Sequence, residues 1–258
     1  MSKKIAVTGK GGAGKTMITS CLAGIYASRG EKVYAIDADP NPTLGQALGF
    51  PDELLSGIEP LLSLKEMIRE RTGGASDSPG GYFLLNPSVS DIPEKFSASF
   101  RSIRLLIMGA TRGVNTGCAC AENSLLKALL RYLILEASET VLLDMVAGTE
   151  HIGRGTAVSV DAFITVIEPS MRSIQAGKSI IGLSKNISGL KNWIIGNKIR
   201  DIADEQLIRS SFSDVKIAGF LPWKNEILSA ENSGKTVFDN VPEIVQKMQD
   251  MLDFIENE

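Results

Sequence analysis

Residues 9–16 read Gly-Lys-Gly-Gly-Ala-Gly-Lys-Thr, and the interpretation of the whole chain starts from them. They follow the apolar run Ile5-Ala6-Val7 and precede the helix-forming stretch Met17–Ser28. A strand, a glycine-rich turn and a helix in this order are typical of a phosphate-binding loop. Glycines let backbone N–H groups curl around an anion at the positive end of the helix.

The fixed positions of the G-x-x-x-x-G-K-[ST] template are filled by Gly9, Gly14, Lys15 and Thr16. We expect the Lys15 ammonium to reach the β- and γ-phosphates of a nucleotide and the Thr16 hydroxyl to bind Mg²⁺. The predicted nucleotide-binding residues of this region are Gly9, Lys10, Gly11, Gly12, Ala13, Gly14, Lys15, Thr16 and Met17.

Length, charge and cysteine content restrict the class of protein. A chain of 258 residues with a formal charge of −3 can form one large α/β domain, and we expect a single domain over 1–258 with a less regular insertion around 50–100. No segment approaches the ~18 consecutive apolar residues of a membrane span, and no signal peptide is recognisable. Three cysteines, an odd number, argue against a disulfide framework. These features predict a cytoplasmic protein that binds neither nucleic acid nor membranes.

Apolar runs and helical stretches alternate along the chain, which predicts a single doubly wound, mostly parallel sheet with helices on both faces. Further strands are predicted at Lys32–Ile36, Tyr82–Leu85, Ile103–Met108, Thr140–Leu143, Ala162–Ile167, Trp193–Gly196 and Val215–Leu221. Further helices are predicted at Leu62–Arg71, Leu125–Leu135, Pro169 to about Lys185, and Pro242–Glu258.

Acidic residues follow two of the predicted strands. Asp37 and Asp39 lie on one face of an extended segment and at the carboxyl end of a strand, where α/β sheets bind ligands. The alternative interpretation is a capped turn, because Asp, Asn and Pro are common turn residues. Asp144 follows Thr140–Leu143 at the Walker B position, where we expect it to hold Mg²⁺ through a water molecule.

Cys118 and Cys120 form a C-x-C pair just before the predicted helix Leu125–Leu135. In an extended segment this spacing places both thiols on one face, and a nearby helix N-terminus favours thiolates. Two chains about a twofold axis would supply four sulfur ligands, which suit Ni²⁺ or Zn²⁺. The alternative is that these cysteines are inert packing, as Cys21 in the first helix is expected to be.

The whole stretch GKGGAGKT resembles the deviant Walker A loop of the family that includes MinD, ParA, the nitrogenase iron protein and arsenite-pump ATPases. The resemblance implies that Lys10 crosses a dimer interface to contact the nucleotide of the partner. It also implies that Asp39 orients the attacking water and that Asp37 holds a water on Mg²⁺. Lys10, Lys15 and Asp39 are thus the predicted catalytic residues, and Gly148, in the D-x-x-A-G segment 144–148, is the predicted γ-phosphate sensor.

Asn197 and Lys198 are expected beside the nucleotide base. GTPases use N-K-x-D, whose aspartate binds guanine, but the fourth residue here is Arg200. Asn197 can still hydrogen-bond the adenine amine and N7, and Pro222 with Trp223 is expected to wrap the base. The sequence therefore favours ATP and ADP as ligands.

The phosphate loop together with segments 37–41 (DADPN), 118–120 (CAC), 144–156 (DMVAGTEHIGRGT) and 196–198 (GNK) resembles the CooC-type maturation ATPases. The resemblance implies a Mg²⁺-dependent homodimeric ATPase that binds Ni²⁺, or Zn²⁺ in its place, between subunits. Its client would be apo carbon monoxide dehydrogenase. Two alternatives stay open: a MinD- or ParA-like positioning or regulatory ATPase without metal, and the related maturation ATPase for acetyl-CoA synthase. The single histidine, His151, is assigned a structural or interface role.

Overall fold

The computed structural model describes residues 3–73, 84–109, 120–135, 138–145, 160–185, 187 and 189–258, with the backbone alone at 120–123, 126–127 and 134–135. Its centre is an eight-stranded sheet in the order β3-β4-β2-β5-β1-β6-β7-β8. Every neighbouring pair is parallel except β3 and β4. The strands are β1 Lys4–Gly9, β2 Val33–Asp37, β3 Ala98–Phe100, β4 Ile103–Ile107, β5 Thr140–Asp144, β6 Ala162–Ile167, β7 Lys191–Ile199 and β8 Lys216–Pro222.

Helices cover both faces of the sheet. In the described part of the chain they are α1 Lys15–Ser28, α2 Leu44–Ala47, α3 Asp52–Ser56, α4 Lys65–Thr72, α5 Ile92–Phe96, α6 Cys120–Leu135, α7 Met171–Ser184, α8 Ile202–Ser211, α9 Asn225–Asn232, α10 Val237–Asn240 and α11 Pro242–Asn257, with a 3₁₀ turn at Leu61–Ser63. In β1, Val7 belongs to the core formed with α1 and α11, whereas Ala6 belongs to the core formed with α4 and α6. The predicted fold class is confirmed.

The central strands are buried on both sides, which explains their sequences. Every residue of β1, β2, β5 and β6 is buried. A strand covered on both faces needs apolar side chains at consecutive positions, so its sequence is a nearly continuous apolar run.

A hairpin at the sheet edge was not predicted. Ala98–Phe100 pairs antiparallel with β4 through the two-residue turn Arg101-Ser102. Both turn residues have positive φ, 49° and 64°, as a mirror-image hairpin turn requires. Such turns normally carry Asn or Gly, so an Arg-Ser turn gives no recognisable signal.

Three other element boundaries differ from the predictions. The helix expected over Leu62–Arg71 is divided at Leu64 into the 3₁₀ turn and α4. The strand expected at Tyr82–Leu85 is not formed at Leu84 and Leu85, and residues 82 and 83 lie outside the described part. Helix α6 begins at Cys120 rather than at Leu125, so Cys120 is helical and not in an extended segment.

Candidate functional site

The loop between β1 and α1 depends on glycine at two positions. Gly9 has φ 146°, and a Cβ there would lie 2.4 Å from the Val166 carbonyl oxygen of the adjacent strand. Gly14 has φ 95°, and a Cβ there would lie 2.2 Å from the Asn197 side-chain nitrogen. The loop is thus wedged between β6 and the end of β7, and its amides precede the positive end of α1.

The two lysines of the loop have different surroundings. Lys15 is only 8% exposed, and its Nζ donates a hydrogen bond to the Lys10 carbonyl oxygen at 3.4 Å. Lys10 turns its own Nζ to the Gly11 carbonyl oxygen at 3.3 Å and to Glu168 Oε1 at 3.1 Å. The ammonium groups of Lys10 and Lys15 thus both contact carbonyl oxygens of the loop that is expected to hold phosphates.

Thr16 and Asp144 meet at the carboxyl end of the sheet. The Thr16 hydroxyl donates to Asp144 Oδ2 at 2.6 Å, and Asp144 Oδ1 is buried without a hydrogen-bond partner among the described residues. Burial raises the pKa of Asp144 to about 7, and Asp37 adds to the rise, although the Thr16 hydroxyl bond lowers it. An unpaired buried carboxylate oxygen beside a threonine hydroxyl is a donor set that fits Mg²⁺.

Asp37 and Asp39 differ in burial and in hydrogen bonding, although their spacing places them on one face of an extended segment. Asp37 is fully buried and accepts backbone N–H bonds from Asp39, Thr43 and Leu44 at 3.0, 2.9 and 2.9 Å. Burial raises the pKa of Asp37, and these three bonds oppose the rise. Asp39 is partly exposed, accepts the Asn41 N–H at 2.8 Å and lines the cleft beside the loop. These backbone bonds bear out the turn interpretation, and the roles of Asp37 and Asp39 toward Mg²⁺ and the attacking water stay predictions.

Asn197 joins the end of β7 to the phosphate loop. Its side chain is 2% exposed and donates from Nδ2 to the Ala13 carbonyl oxygen at 2.8 Å. The predicted contact of Asn197 with an adenine amine would use its side-chain oxygen. The Arg200 guanidinium donates two hydrogen bonds of 2.9 Å to the Asp204 carboxylate.

Lys198 is held against the loop in a strained backbone conformation. Its φ is 61°, and its Nζ donates to the Gly12 carbonyl oxygen at 2.6 Å. The same ammonium lies 5.8 Å from the centre of the Trp223 ring.

A cleft of about 450 Å³ extends from the loop along the ends of β7 and β8. It brings together most of the predicted nucleotide-binding residues with several that the sequence analysis did not name. Its lining comprises Gly11, Gly12, Gly14, Lys15, Thr16, Met17, Asp39, Asn41, Thr43, Asn197, Lys198, Pro222, Trp223, Lys224, Ile227, Leu228 and Glu231.

Glu168 was missed by the sequence analysis. It follows the last residue of β6, and its carboxylate contacts both Lys10 and Lys198, at 3.1 and 3.8 Å. The rule that drew attention to Asp37, an acidic residue at the carboxyl end of a parallel strand, would also have found Glu168.

The predicted metal ligands and switch lie largely outside the described residues. This holds for Cys118, Gly148 and His151. Cys120 is the first residue of α6, and only its backbone is described. Cys21 is buried in α1 as expected. Within the described ranges, no group of three or more His, Cys, Asp or Glu side chains is arranged to hold a metal ion.

The glycine-rich loop between a parallel strand and a helix, with Lys15, Thr16 and Asp144 around it, defines a P-loop nucleotide-binding domain. The chain belongs to the CobQ/CobB/MinD/ParA family of nucleotide-binding domains, whose family model matches residues 4–237. The predicted family and the prediction of an ATPase are confirmed.

Two curated relatives align with nearly the whole chain. The carbon monoxide dehydrogenase accessory protein CooC of Rhodospirillum rubrum is 42% identical over 240 residues, which cover 93% of this chain and 90% of CooC. An uncharacterised ATP-binding protein of Methanocaldococcus jannaschii is 40% identical and covers 91% of this chain and 90% of its own. Among solved structures, the cell division protein MinD of Aquifex aeolicus superposes with a TM-score of 0.70 at 21% identity, covering 100% of this chain and 98% of MinD, and so shares the fold.

A separate question is whether the chain could cross a membrane. In the part of the chain that the structure describes, no helix combines the length and apolar character of a membrane span.

Proposed function

We propose that this protein is an ATP-dependent maturation factor that binds nickel and supplies it to apo carbon monoxide dehydrogenase. The observation that carries the proposal is the 42% identity with CooC over 93% of the chain, joined to the P-loop cleft. In R. rubrum, the relative is named as an accessory protein of carbon monoxide dehydrogenase.

ATP binding is the first step of the proposed cycle. The phosphates would lie on the loop 9–14, with Lys15 on the β- and γ-phosphates and the base between Asn197 and Pro222. Mg²⁺, held by Thr16 and by Asp144 through water, would neutralise charge on the phosphates. Asp39 would orient the attacking water from the edge of the cleft.

Dimerisation couples the nucleotide to the metal in this proposal. Two subunits would meet at the phosphate loops, each Lys10 contacting the phosphates of the other, and Gly148 would respond to loss of the γ-phosphate. Closure would bring Cys118 and Cys120 of both subunits together around one Ni²⁺ as cargo. Hydrolysis would separate the subunits and release the metal to the client.

The role of the phosphate loop is tested with Lys15→Gln. Glutamine keeps most of the length of lysine but removes the charge that faces the phosphates, so we expect ATP hydrolysis to fall by more than about tenfold. Lys178→Gln, in the exposed part of α7, is the matched control and should hydrolyse ATP normally. Undiminished hydrolysis by Lys15→Gln would refute this role.

The metal site is tested by titrating Ni²⁺ into the Cys118→Ser/Cys120→Ser double variant in the presence of nucleotide. We expect tight binding of one ion per dimer in the unaltered protein and its loss in the variant, because serine is a poor ligand for Ni²⁺. Cys21→Ser tests a thiol buried in α1 and should leave binding unchanged. Tight binding that survives in the double variant would refute the ligand assignment.

The second candidate function is that of a positioning or regulatory ATPase without metal. It is supported by the similarity to MinD of Thermotoga maritima, which is 26% identical over 91% of this chain. Metal content and oligomeric state, measured with and without nucleotide, distinguish the two functions. Co-sedimentation with liposomes or DNA and a metal-free dimer would favour the regulatory ATPase. Maturation assays with apo carbon monoxide dehydrogenase and apo acetyl-CoA synthase in parallel would identify the client.

A further inference from the structure

Glu168 contacts both the phosphate loop and the carboxyl-terminal part of β7. Its carboxylate lies 3.1 Å from Lys10 Nζ and 3.8 Å from Lys198 Nζ, and its side chain is 18% exposed. Lys198 in turn donates to the Gly12 carbonyl oxygen at 2.6 Å. One carboxylate therefore holds two ammonium groups against the loop.

The position of Glu168 is itself fixed by the start of α7. The Glu168 N–H donates to Ser173 Oγ at 3.1 Å, and the Ser170 hydroxyl donates to Glu168 Oε1 at 3.3 Å. Met171, the first residue of α7, is 68% exposed, so the start of this helix beside Glu168 is open to solvent. Glu168 is anchored both at its main-chain N–H and at its carboxylate. Lys10 must therefore break its ion pair with Glu168 in order to reach another molecule.

We propose that Glu168 is a positioning residue that retains Lys10 in its own subunit until a nucleotide-loaded second copy of the chain draws it away. This inference rests on the proposed function, in which Lys10 acts across a dimer interface. An anionic triphosphate on the partner is a stronger acceptor than one carboxylate that two lysines share.

Bound nucleotide also loosens Lys10 from within its own subunit. Lys15 Nζ donates to the Lys10 carbonyl oxygen at 3.4 Å. Phosphates on the loop give Lys15 a charged acceptor in place of this carbonyl. The main chain of Lys10 then loses one of the contacts that fix it, while Glu168 remains as the restraint on the side chain.

The experiment compares Glu168→Gln with the unaltered protein. Glutamine preserves the shape and an acceptor for Ser170 but removes the ion pair. Sedimentation in Mg²⁺ and a slowly hydrolysed ATP analogue gives the protein concentration at half-dimerisation. We expect this concentration to fall roughly two- to thirtyfold, because two partly exposed ion pairs are released per dimer. Glu168→Asp, which keeps the charge on a shorter side chain, should give a smaller fall.

A matched control removes a different ion pair. Asp214→Asn breaks the surface pair between Lys185 and Asp214, at the end of the sheet away from the phosphate loop, and should leave dimerisation unchanged. Thermal unfolding of each variant establishes that it is folded before dimerisation is measured.

The Lys10→Gln background separates this inference from the proposed function. We expect Lys10→Gln to weaken dimerisation and to abolish the effect of Glu168→Gln, as a double-mutant cycle shows for two residues that act together. An effect of Glu168→Gln that persists without Lys10, or no effect when Lys10 is present, overturns the inference alone. Unaltered dimerisation by Lys10→Gln overturns the proposed crossing of Lys10.

Discussion

The fold strongly affects the ionisation of Asp144. It is 2% exposed and is the register partner of Asp37 on the neighbouring strand β2. Burial, with Asp37 nearby, raises its pKa to about 7. A carboxyl whose pKa is higher in the folded state than in the unfolded state contributes stability below the unfolded pKa and loses it as the pH rises through the folded pKa.

Asp144→Asn should therefore change how stability depends on pH when Mg²⁺ is removed by chelation. Between pH 5 and pH 8 the free energy of unfolding of the variant, relative to the unaltered protein, should rise by about 1–3 kcal/mol. Asparagine does not ionise and still accepts the Thr16 hydroxyl bond. Urea unfolding at both pH values measures the effect, with exposed Asp250→Asn as control. A difference independent of pH would contradict the assigned shift.

Gly14→Ala should abolish nucleotide binding. The backbone at φ 95° costs an alanine about 1–2 kcal/mol, and the new methyl group would displace the Asn197 amide from the Ala13 carbonyl. Titration calorimetry with Mg-ATP measures the loss. Gly30→Ala meets a similar strain at φ 83° but has open space around it at the end of α1, so it should lose stability and bind ATP normally. Equal binding by both variants would show that the collision with Asn197 is unimportant.

Among the helices and strands, those buried on both faces of the sheet were the easiest to predict from the sequence. Strands β1, β2, β5 and β6 were predicted because burial on both faces demands continuous apolar runs. Hairpin β3–β4 was missed because its turn residues, Arg101 and Ser102, carry no glycine signal. Helix α8 was also missed, although Asp201 caps it by accepting the Asp204 N–H at 3.0 Å. Its D-x-x-D pattern resembles a capping box and could have been recognised.

The closing helix α11 should contribute much of the stability of the core. Leu252 is fully buried in the cluster that contains Ile18, Leu22 and Trp193. Leu252→Ala should lower the free energy of unfolding by about 2–5 kcal/mol, because it leaves a cavity in that cluster. Lys247→Ala, at a partly exposed position of the same helix, should cost under about 0.5 kcal/mol. Denaturant unfolding compares the two, and similar losses would mean that α11 packs loosely.

In the whole molecule, the strand order explains why the site residues could be predicted better than their contacts. The carboxyl ends of β1, β2, β5, β6, β7 and β8 lie at one edge of the sheet. Motif position alone therefore predicted that Lys15, Asp39 and Asn197 lie at this edge, where they line one cleft. Which carboxylate Lys10 contacts depends on β6 lying beside β1. Strand order is a tertiary property that local sequence patterns do not encode, so Glu168 could not be paired with Lys10 beforehand.

Mg-ATP should stabilise the whole protein. At a free concentration about a hundredfold above the Kd, binding adds roughly 2.7 kcal/mol, which raises the Tm by about 5–10 °C for a domain of this size. Differential scanning calorimetry measures the shift. The shift should be much smaller in Lys15→Gln and normal in Lys178→Gln. A full shift in Lys15→Gln would mean that the stabilisation arises elsewhere than at the phosphate loop.

The two borders of the sheet bear on how copies of the molecule can assemble. One border is the three-residue strand β3, which ends at a turn whose Arg101 pairs with Asp239 at 2.6 Å. The other, β8, begins with Lys216 and ends with Pro222. Short, charged or proline-terminated borders are poor templates for a further strand. Fibre-like growth by strand addition is therefore disfavoured.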